Sequence, residues 1–228
     1  GEKSMKNSQI VSLSIFLTVI CAIASAVLAI ANQATAKDIA KMKIQKTEQA
    51  LKLVLGEFDN NPAQGATTVK HEGRDVTFYP ALKDEKLTSF AATSSSPKGY
   101  GGNITVMTQI MPDGNIGTVI VTENNETPGL GTVATNRTRT KSISDLISGK
   151  NDSSMPPNPV LDSFKDKNCS TSPWKIKKDG GNIDSITGAT ISSLAVTDAV
   201  NCAAIAFESN KNELLSKFNK SQENSSPK

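Results

Sequence analysis

"GYGGNITVMTQIMPDGNIGTVIVTEN", residues 99–124, decides the fold class. Ile104, Val106, Thr108 and Ile110 alternate with Thr105, Met107, Gln109 and Met111, the period of two expected of a strand. Asp113-Gly114 is a hairpin turn signal, and Ile116 to Val121 return beside the first run. The pattern predicts an antiparallel hairpin that forms the core of a sheet. Upstream, "ATTVKHEGRDVTFYPAL" (66–82) reads as two strands about a Glu72-Gly73 turn, and "DEKLTSFAATSSS" (84–96) offers a further strand.

Downstream the chain changes character. "NNETPGLGT" (124–132) is a glycine-rich connection, and "SISDLISG" (142–149) reads as a short helix with Ser142 or Ser144 near its N-cap and Gly149 after it. "NDSSMPPNP" (151–159) is loop, and "PWKIKKDGG" (173–181) holds a short strand and a turn. An apolar stripe at helical spacing begins near Thr190 or Ile191 and runs to about Glu208; the polar segment after it extends the helix and then frays. Strands and helices do not alternate strictly, so the class is α+β with a central antiparallel sheet, not a Rossmann fold.

The first sixty residues carry a different message. Ile10 to Ile30 hold no charge in 21 residues. At about 1.5 Å per residue such a helix reaches roughly 30 Å, the thickness of a bilayer core. A cleavable signal peptide is the other reading, with "ATA" at Ala34–Ala36 as its cleavage site. The run exceeds the usual apolar region of about 7–15 residues, which favours a retained anchor in the lipid bilayer. Ile39, Met42, Ile44, Ala50, Leu53 and Leu55 predict a second helix from about Ala36 to Leu55, ended near Gly56. The expected organisation is a tail at 1–9, a span at 10–30, a connecting helix at 31–56, one domain at 57–210, and a helix end with polar tail at 211–228.

Charge and cysteine usage narrow the function. Residues 31–228 carry 23 basic and 21 acidic groups, and no basic run is interleaved with aromatics, so nucleic acid is not an expected partner. His71 is the only histidine, and the three cysteines, Cys21, Cys169 and Cys202, form no C-x-x-C. That pattern excludes a c-type haem attachment site and argues against a zinc or iron–sulfur centre. Cys169 and Cys202 read equally as a disulfide in an oxidising compartment or as two small buried residues. No G-x-G-x-x-G follows a strand, so nothing here binds NAD.

The chemistry concentrates where "DSITGAT" (184–190) meets the last helix. A helix N-terminus presents unpaired N–H groups and the positive end of the dipole, which suits a phosphate. Gly188 lets the backbone approach closely, and Thr190 places a hydroxyl there. A threonine cap explains the same residues without any ligand.

"DSITGAT" resembles the flavinylation motif Asp-x-x-(Ser/Thr)-Gly-Ala-(Ser/Thr) of one flavoprotein family. That family contains the G subunit of the Rnf complex and the C subunit of the sodium-pumping NADH:quinone oxidoreductase. "ETPGLG" (126–131) and "GYGG" (99–102) are similar to two further family stretches, and the order of one span followed by such a domain agrees. The resemblance implies that residues 57–210 are an FMN-binding domain, with FMN joined through a phosphoester to Thr190. It implies that Thr187, Gly188 and Ala189 line the phosphate end. Glu126, Thr127, Gly129, Leu130 and Gly131 would lie beside the ring, the glycines admitting backbone N–H groups and Leu130 pressing on its face. Asp184 would either assist the attaching enzyme, an ApbE-type flavin transferase using FAD and magnesium, or serve as a turn residue. Aromatic residues make up 4% of the chain, which leaves few rings to stack on a flavin.

The implied role is an electron-carrying subunit of an ion-translocating ferredoxin:NAD oxidoreductase, an Rnf-type complex, with that complex's other membrane and peripheral subunits as partners. The family places the domain on the periplasmic side of the inner membrane. Lysine counting opposes this, since Lys37, Lys41, Lys43 and Lys46 follow the span and only Lys3 and Lys6 precede it. Two other readings stay open: a tethered flavin in another extracytoplasmic electron-transfer system, and a non-redox anchored module whose T-G-A-T is a helix cap.

Overall fold

A computed structural model describes residues 2–137 and 155–223. The chain divides into two units, Gly1–Lys46 and Thr47–Lys228. Helix α1, Glu2–Leu55, is one continuous element in which the expected span and connecting helix run together without a break. Within it, Val11–Ala36 is long and apolar enough to cross a membrane, with a mean hydropathy of 2.7. Leu13, Phe16, Leu17 and Leu28 expose more than 60% of their surface, as a lipid-facing helix would. Two of its hydroxyls are satisfied internally: Thr18 Oγ1 donates to the Ser14 carbonyl at 2.8 Å and Ser25 Oγ to the Cys21 carbonyl at 2.7 Å.

The second unit is built on an antiparallel sheet in simple meander order. Its strands are β1 (Thr67–His71), β2 (Arg74–Lys83), β3 (Lys86–Gly99), β4 (Gly102–Ile110) and β5 (Ile116–Glu123). Glu72 and Gly73, at φ 49° and 74°, turn β1 into β2, and Asp84 and Glu85, at 49° and 61°, turn β2 into β3. Both pairs have the positive φ values that match the twist of a two-residue hairpin. At the β4–β5 turn Asp113 Oδ1 accepts from the Asn115 N–H at 2.9 Å, and Gly114 adopts φ 97°.

The quoted hairpin is β4–β5, but it is not the centre of the sheet. That place belongs to β3, and β5 is an edge strand. The serine- and threonine-rich end of β3 hides its depth: Ser94 and Ser96 are fully buried there. Ser94 remains polar without penalty because its Oγ donates to the Ala199 carbonyl at 2.8 Å.

One face of the sheet carries Val76, Phe78, Phe90, Ile104, Val106 and Ile110 against the last helix. On the opposite face, Ala81, Ala91 and Met107 lie under Ala50, Leu51, Val54 and Leu55 from the end of α1. Short elements follow the sheet, among them α2 (Thr132–Thr135), α3 (Pro159–Asp162) and a 3₁₀ turn at Cys169–Thr171. The region read as loop therefore holds a helix start. Asn158 Oδ1 accepts from the Val160 and Leu161 N–H groups at 3.0 and 3.1 Å, with Pro159 in the first turn. The expected helix at 142–149 lies outside the described residues.

The strand expected in "PWKIKKDGG" is instead a 3₁₀ turn, Lys177–Asp179. Ile176 makes a single bridge to Ile183, and the chain then reverses at Gly180, φ 78°. Cys169 and Cys202 are buried and form no disulfide. Burial pushes the Cys169 thiol up to about 12, which leaves it inert at neutral pH.

Helix α4, Thr190–Glu223, crosses the sheet. Ala195, Ala199, Ala203 and Ala206 bring it close, and Phe207 packs between Phe78 and Phe90 at centroid distances of 6.2 and 5.9 Å. This helix is apolar enough to pass a span test, yet it is mostly buried inside the domain and is a core helix.

Asp198 clamps α4 to the sheet: its carboxylate lies 2.6 Å from Arg74 Nη1 on β2 and 2.6 Å from Lys98 Nζ on β3. Burial alone would raise this carboxyl, but hydrogen bonds from Lys98 and Ser96 and the charge of Arg74 outweigh it and hold the carboxyl below the usual range. A depressed carboxyl contributes stability that is complete above the unfolded value, about 3.9, and is lost as pH falls through the folded one. Asp198→Asn is expected to cost about 2 kcal/mol at neutral pH. The cost should shrink below about pH 4. Urea melts at pH 7 and pH 3 measure both; an equal cost at the two pH values contradicts this assignment.

Candidate functional site

Two turns with the same design approach each other at the start of α4. In the first, the Leu130 N–H donates to the Thr127 carbonyl at 3.1 Å, with Pro128 and Gly129 between them. Gly129 has φ 76°, the conformation that a Pro-Gly turn demands. In the second, the Ala189 N–H donates to the Ile186 carbonyl at 2.9 Å, with Thr187 and Gly188 between them, and Gly188 has φ 85°. A side chain at Gly188 would meet open space, so conformation and not crowding calls for glycine.

The second turn delivers the chain into α4. The first backbone bond of that helix runs from the Ser193 N–H to the Ala189 carbonyl at 2.9 Å. Ala189 therefore occupies the N-cap position, and its methyl group can accept nothing. Thr190 is the first helical residue and is not the cap. The start of the helix presents the N–H groups of Thr190, Ile191 and Ser192, which have no intrahelical carbonyl to reach.

Glu126 ties this arrangement together. It is 5% exposed, and both of its carboxylate oxygens are used. The Ser192 hydroxyl donates to Oε2 at 2.6 Å, and the Gly101 N–H donates to Oε1 at 3.1 Å. One side chain thus joins "GYGG" and "ETPGLG" to the first turn of α4, two residues past "DSITGAT". The nearby glycines make room for it. A Cβ on Gly131 would overlap the carboxylate and stand 2.8 Å from Ser192 Oγ, and one on Gly99 would stand 2.7 Å from Oε1.

Around this tie lies a cleft of about 510 Å³, lined by Tyr100, Glu126, Thr127, Leu130, Gly131, Gly188, Ala189, Thr190, Ile191 and Ser192. The volume falls within the range of cofactor pockets, about 300–1,000 Å³. Tyr100, Leu130 and Ile191 are 72%, 59% and 50% exposed and give the cleft an apolar rim.

Four hydroxyls crowd the helix start, and their states differ. Thr187 is exposed and does not line the cleft. Ser193 is fully buried; its Oγ donates to the Ala189 carbonyl at 2.9 Å and accepts from the Ile186 N–H at 3.3 Å. Ser192 is buried and held by Glu126. Thr190 lines the cleft, and its hydroxyl has no hydrogen bond to another described residue.

Of the residues expected at the site, the structure brings together Glu126, Thr127, Leu130, Gly131, Gly188, Ala189 and Thr190. It leaves Thr187, Gly129 and Asp184 off the cleft wall. The Gly129 N–H is already engaged by Thr132 Oγ1 at 2.9 Å. Asp184 lies 2.5 Å from Lys177 Nζ, and its N–H donates to Ser163 Oγ at 3.0 Å. Lys177 holds its carboxyl below the usual range, with help from the Ser163 hydroxyl. Asp184 thus pins the incoming loop to its neighbours.

Tyr100, Ile191 and Ser192 also line the cleft, beyond the residues expected from the sequence. Tyr100 puts an aromatic ring at the cleft, and its signal was a large side chain among three glycines in a tight turn. Ile191 and Leu194 stand off the buried stripe of α4, an irregularity visible in the sequence.

A family model described as an FMN-binding domain matches residues 99–204, which take in every residue of the cleft. Proteins named as the G subunit of the ion-translocating oxidoreductase complex are similar along most of the chain. The Haemophilus influenzae (strain PittEE) protein is 28% identical over 199 residues, covering 86% of this chain and 87% of its own. The Vibrio cholerae serotype O1 (strain ATCC 39541) protein is 30% identical over 192 residues, covering 82% and 84%. The Erwinia tasmaniensis protein is 33% identical over 156 residues, covering 68% and 64%.

Proposed function

We propose, since this chain belongs to the family of the G subunit of ion-translocating oxidoreductase complexes, that it is a membrane-anchored flavoprotein of such a complex and carries FMN on Thr190 through a phosphoester. The observation that carries the covalent assignment is the state of the hydroxyls at the start of α4. Of the four hydroxyl residues there, Thr190 is the one that both lines the cleft and has no hydrogen bond from its hydroxyl to a described residue.

The residues present suit the cofactor. The N–H groups at the start of α4 point where a phosphate on Thr190 would lie, and the helix dipole favours its charge. Gly188 keeps the approach open. Tyr100, Leu130 and Ile191 offer an apolar surface to a flavin ring, while Gly131 and Glu126 shape the wall behind it. Bound FMN supplies the electron-transfer chemistry, and the protein supplies position and electrostatics. Thr190 is an attachment site and not an acid or a base. Asp184 acts on the loop from outside the cleft, through Lys177 and Ser163.

Attachment in this reading uses FAD and magnesium on an ApbE-type flavin transferase. The pyrophosphate bond of FAD breaks, Thr190 Oγ1 forms the new bond to phosphorus and gives up its proton, and AMP leaves. A tether of this kind keeps the cofactor in place in a dilute outer compartment. Co-expression with the transferase should give a chain that fluoresces on a denaturing gel; expression without it should give a dark band. A dark band in both cases speaks for the non-redox reading. Co-purification with other membrane subunits distinguishes a complex from a separate extracytoplasmic carrier.

In the same reading the domain lies on the periplasmic side of the inner membrane, with Val11–Ala36 as the span. Partner subunits can override a weak lysine bias after the span. Protease added to intact spheroplasts is expected to digest the domain and leave the span. A protected domain would put it in the cytoplasm and contradict this orientation.

A further inference from the structure

We infer that Glu126 is an electrostatic determinant of the flavin site: its buried charge on the cleft wall makes the tethered flavin harder to reduce. The inference rests on the reading that FMN occupies this cleft.

Among the described residues that line the cleft, Glu126 is the only Asp, Glu, Lys or Arg. It is 5% exposed, so water screens it poorly. Both oxygens accept, one from the Gly101 N–H and one from the Ser192 hydroxyl, the pattern of an acceptor-only carboxylate. Among the described residues no lysine or arginine forms an ion pair with it. Those hydrogen bonds also fix its position, and Gly131 and Gly99 have no side chain that could displace it. A glutamine could fill the same space, so packing alone does not call for a charge.

Two-electron reduction of a flavin with uptake of one proton leaves one negative charge on the ring. A fixed negative charge in the same cleft opposes that change. One charge acting over about 10 Å at an effective dielectric near 20 alters such an equilibrium on the order of tenfold.

The test is a dithionite titration of the full-length, flavin-loaded chain in detergent, read by flavin absorbance against a reference dye and normalised to loaded flavin. Wild type, Glu126→Asp, Glu126→Gln and Glu126→Met are compared. Gln and Met are expected to raise the reduced-to-oxidised ratio at a fixed poise on the order of tenfold, while Asp stays near wild type. A merely structural role would move thermal stability in all three variants and leave the ratio unchanged. Unchanged ratios in the neutral variants overturn the inference. So does loss of flavin from both neutral variants, which would put the carboxylate in the attachment step. A wild-type chain that carries no FMN after co-expression with the transferase overturns the underlying reading instead, and this inference with it.

Discussion

Thr190→Ala is expected to yield a chain with no covalent flavin, a fall from full labelling to background on a denaturing gel. The size of the effect follows from how few alternatives the helix start offers. Ser193 spends its hydroxyl on the Ala189 carbonyl and the Ile186 N–H in a fully buried position. Ser192 is 1% exposed and donates to Glu126. Thr187 is accessible but sits outside the cleft, on the turn that leads into the helix. Thr190→Ser keeps the nucleophile and loses one methyl group, so partial labelling should survive. Thr187→Ala should retain most of it, since its exposed hydroxyl has no partner to lose among the described residues. A Thr190→Ala chain that still fluoresces would refute the assignment and make Thr187 the first candidate.

Gly131→Val should abolish loading for a different reason. The position has an ordinary helical φ of −62°, so the backbone tolerates any residue. The obstacle is the Glu126 carboxylate, which occupies the space a Cβ needs, with Ser192 Oγ 2.8 Å from that same point. Overpacking costs about 1–3 kcal/mol. Breaking the Ser192 bond to a buried carboxylate adds about 1.5–3 kcal/mol. That sum is a large share of a typical stability of about 5–15 kcal/mol. Loss of labelling together with a lower urea midpoint is therefore expected. Gly129→Ala is the contrast: its strain is confined to an exposed turn, so labelling should persist. Normal labelling and an unchanged midpoint in Gly131→Val would sink this account of the loop.

Much of the fold is written in short-range signals. Alternation in β4 and β5, the Glu72-Gly73 and Asp113-Gly114 turns, and the stripe of α4 each reflect one element and its own neighbours, so they can be read without knowing the rest. The centre of the sheet could not be read this way. β3 is central although its sequence is full of serine, because Ser94 bonds to a carbonyl 105 residues away. Its partner is invisible to any local window. The same holds for "PWKIKKDGG", where Ile176 and Ile183 are buried by tertiary packing and not by strand pairing.

The site was legible in part for the same reason. Motif spacing marked Thr190, and the positive φ of Gly188 and Gly129 agrees with the turns that those glycines suggest. Gly131 was singled out for backbone approach to a ring, yet in the structure it makes room for Glu126. No spacing rule announces that Glu126, Gly101 and Ser192 meet, since they come from separate parts of the chain. Asp184 stands near the phosphate end in sequence and away from it in space, where Lys177 and Ser163 hold it.

The central claim, FMN on Thr190, is tested most directly by mass. The full-length chain is purified after co-expression with a flavin transferase, weighed intact, and then fragmented. The account predicts a gain equal to one FMN less one water, confined to the fragment that contains Thr190 and localised to that residue. The bare polypeptide mass, or the same gain placed on Thr187, Ser192 or any other residue, would contradict it.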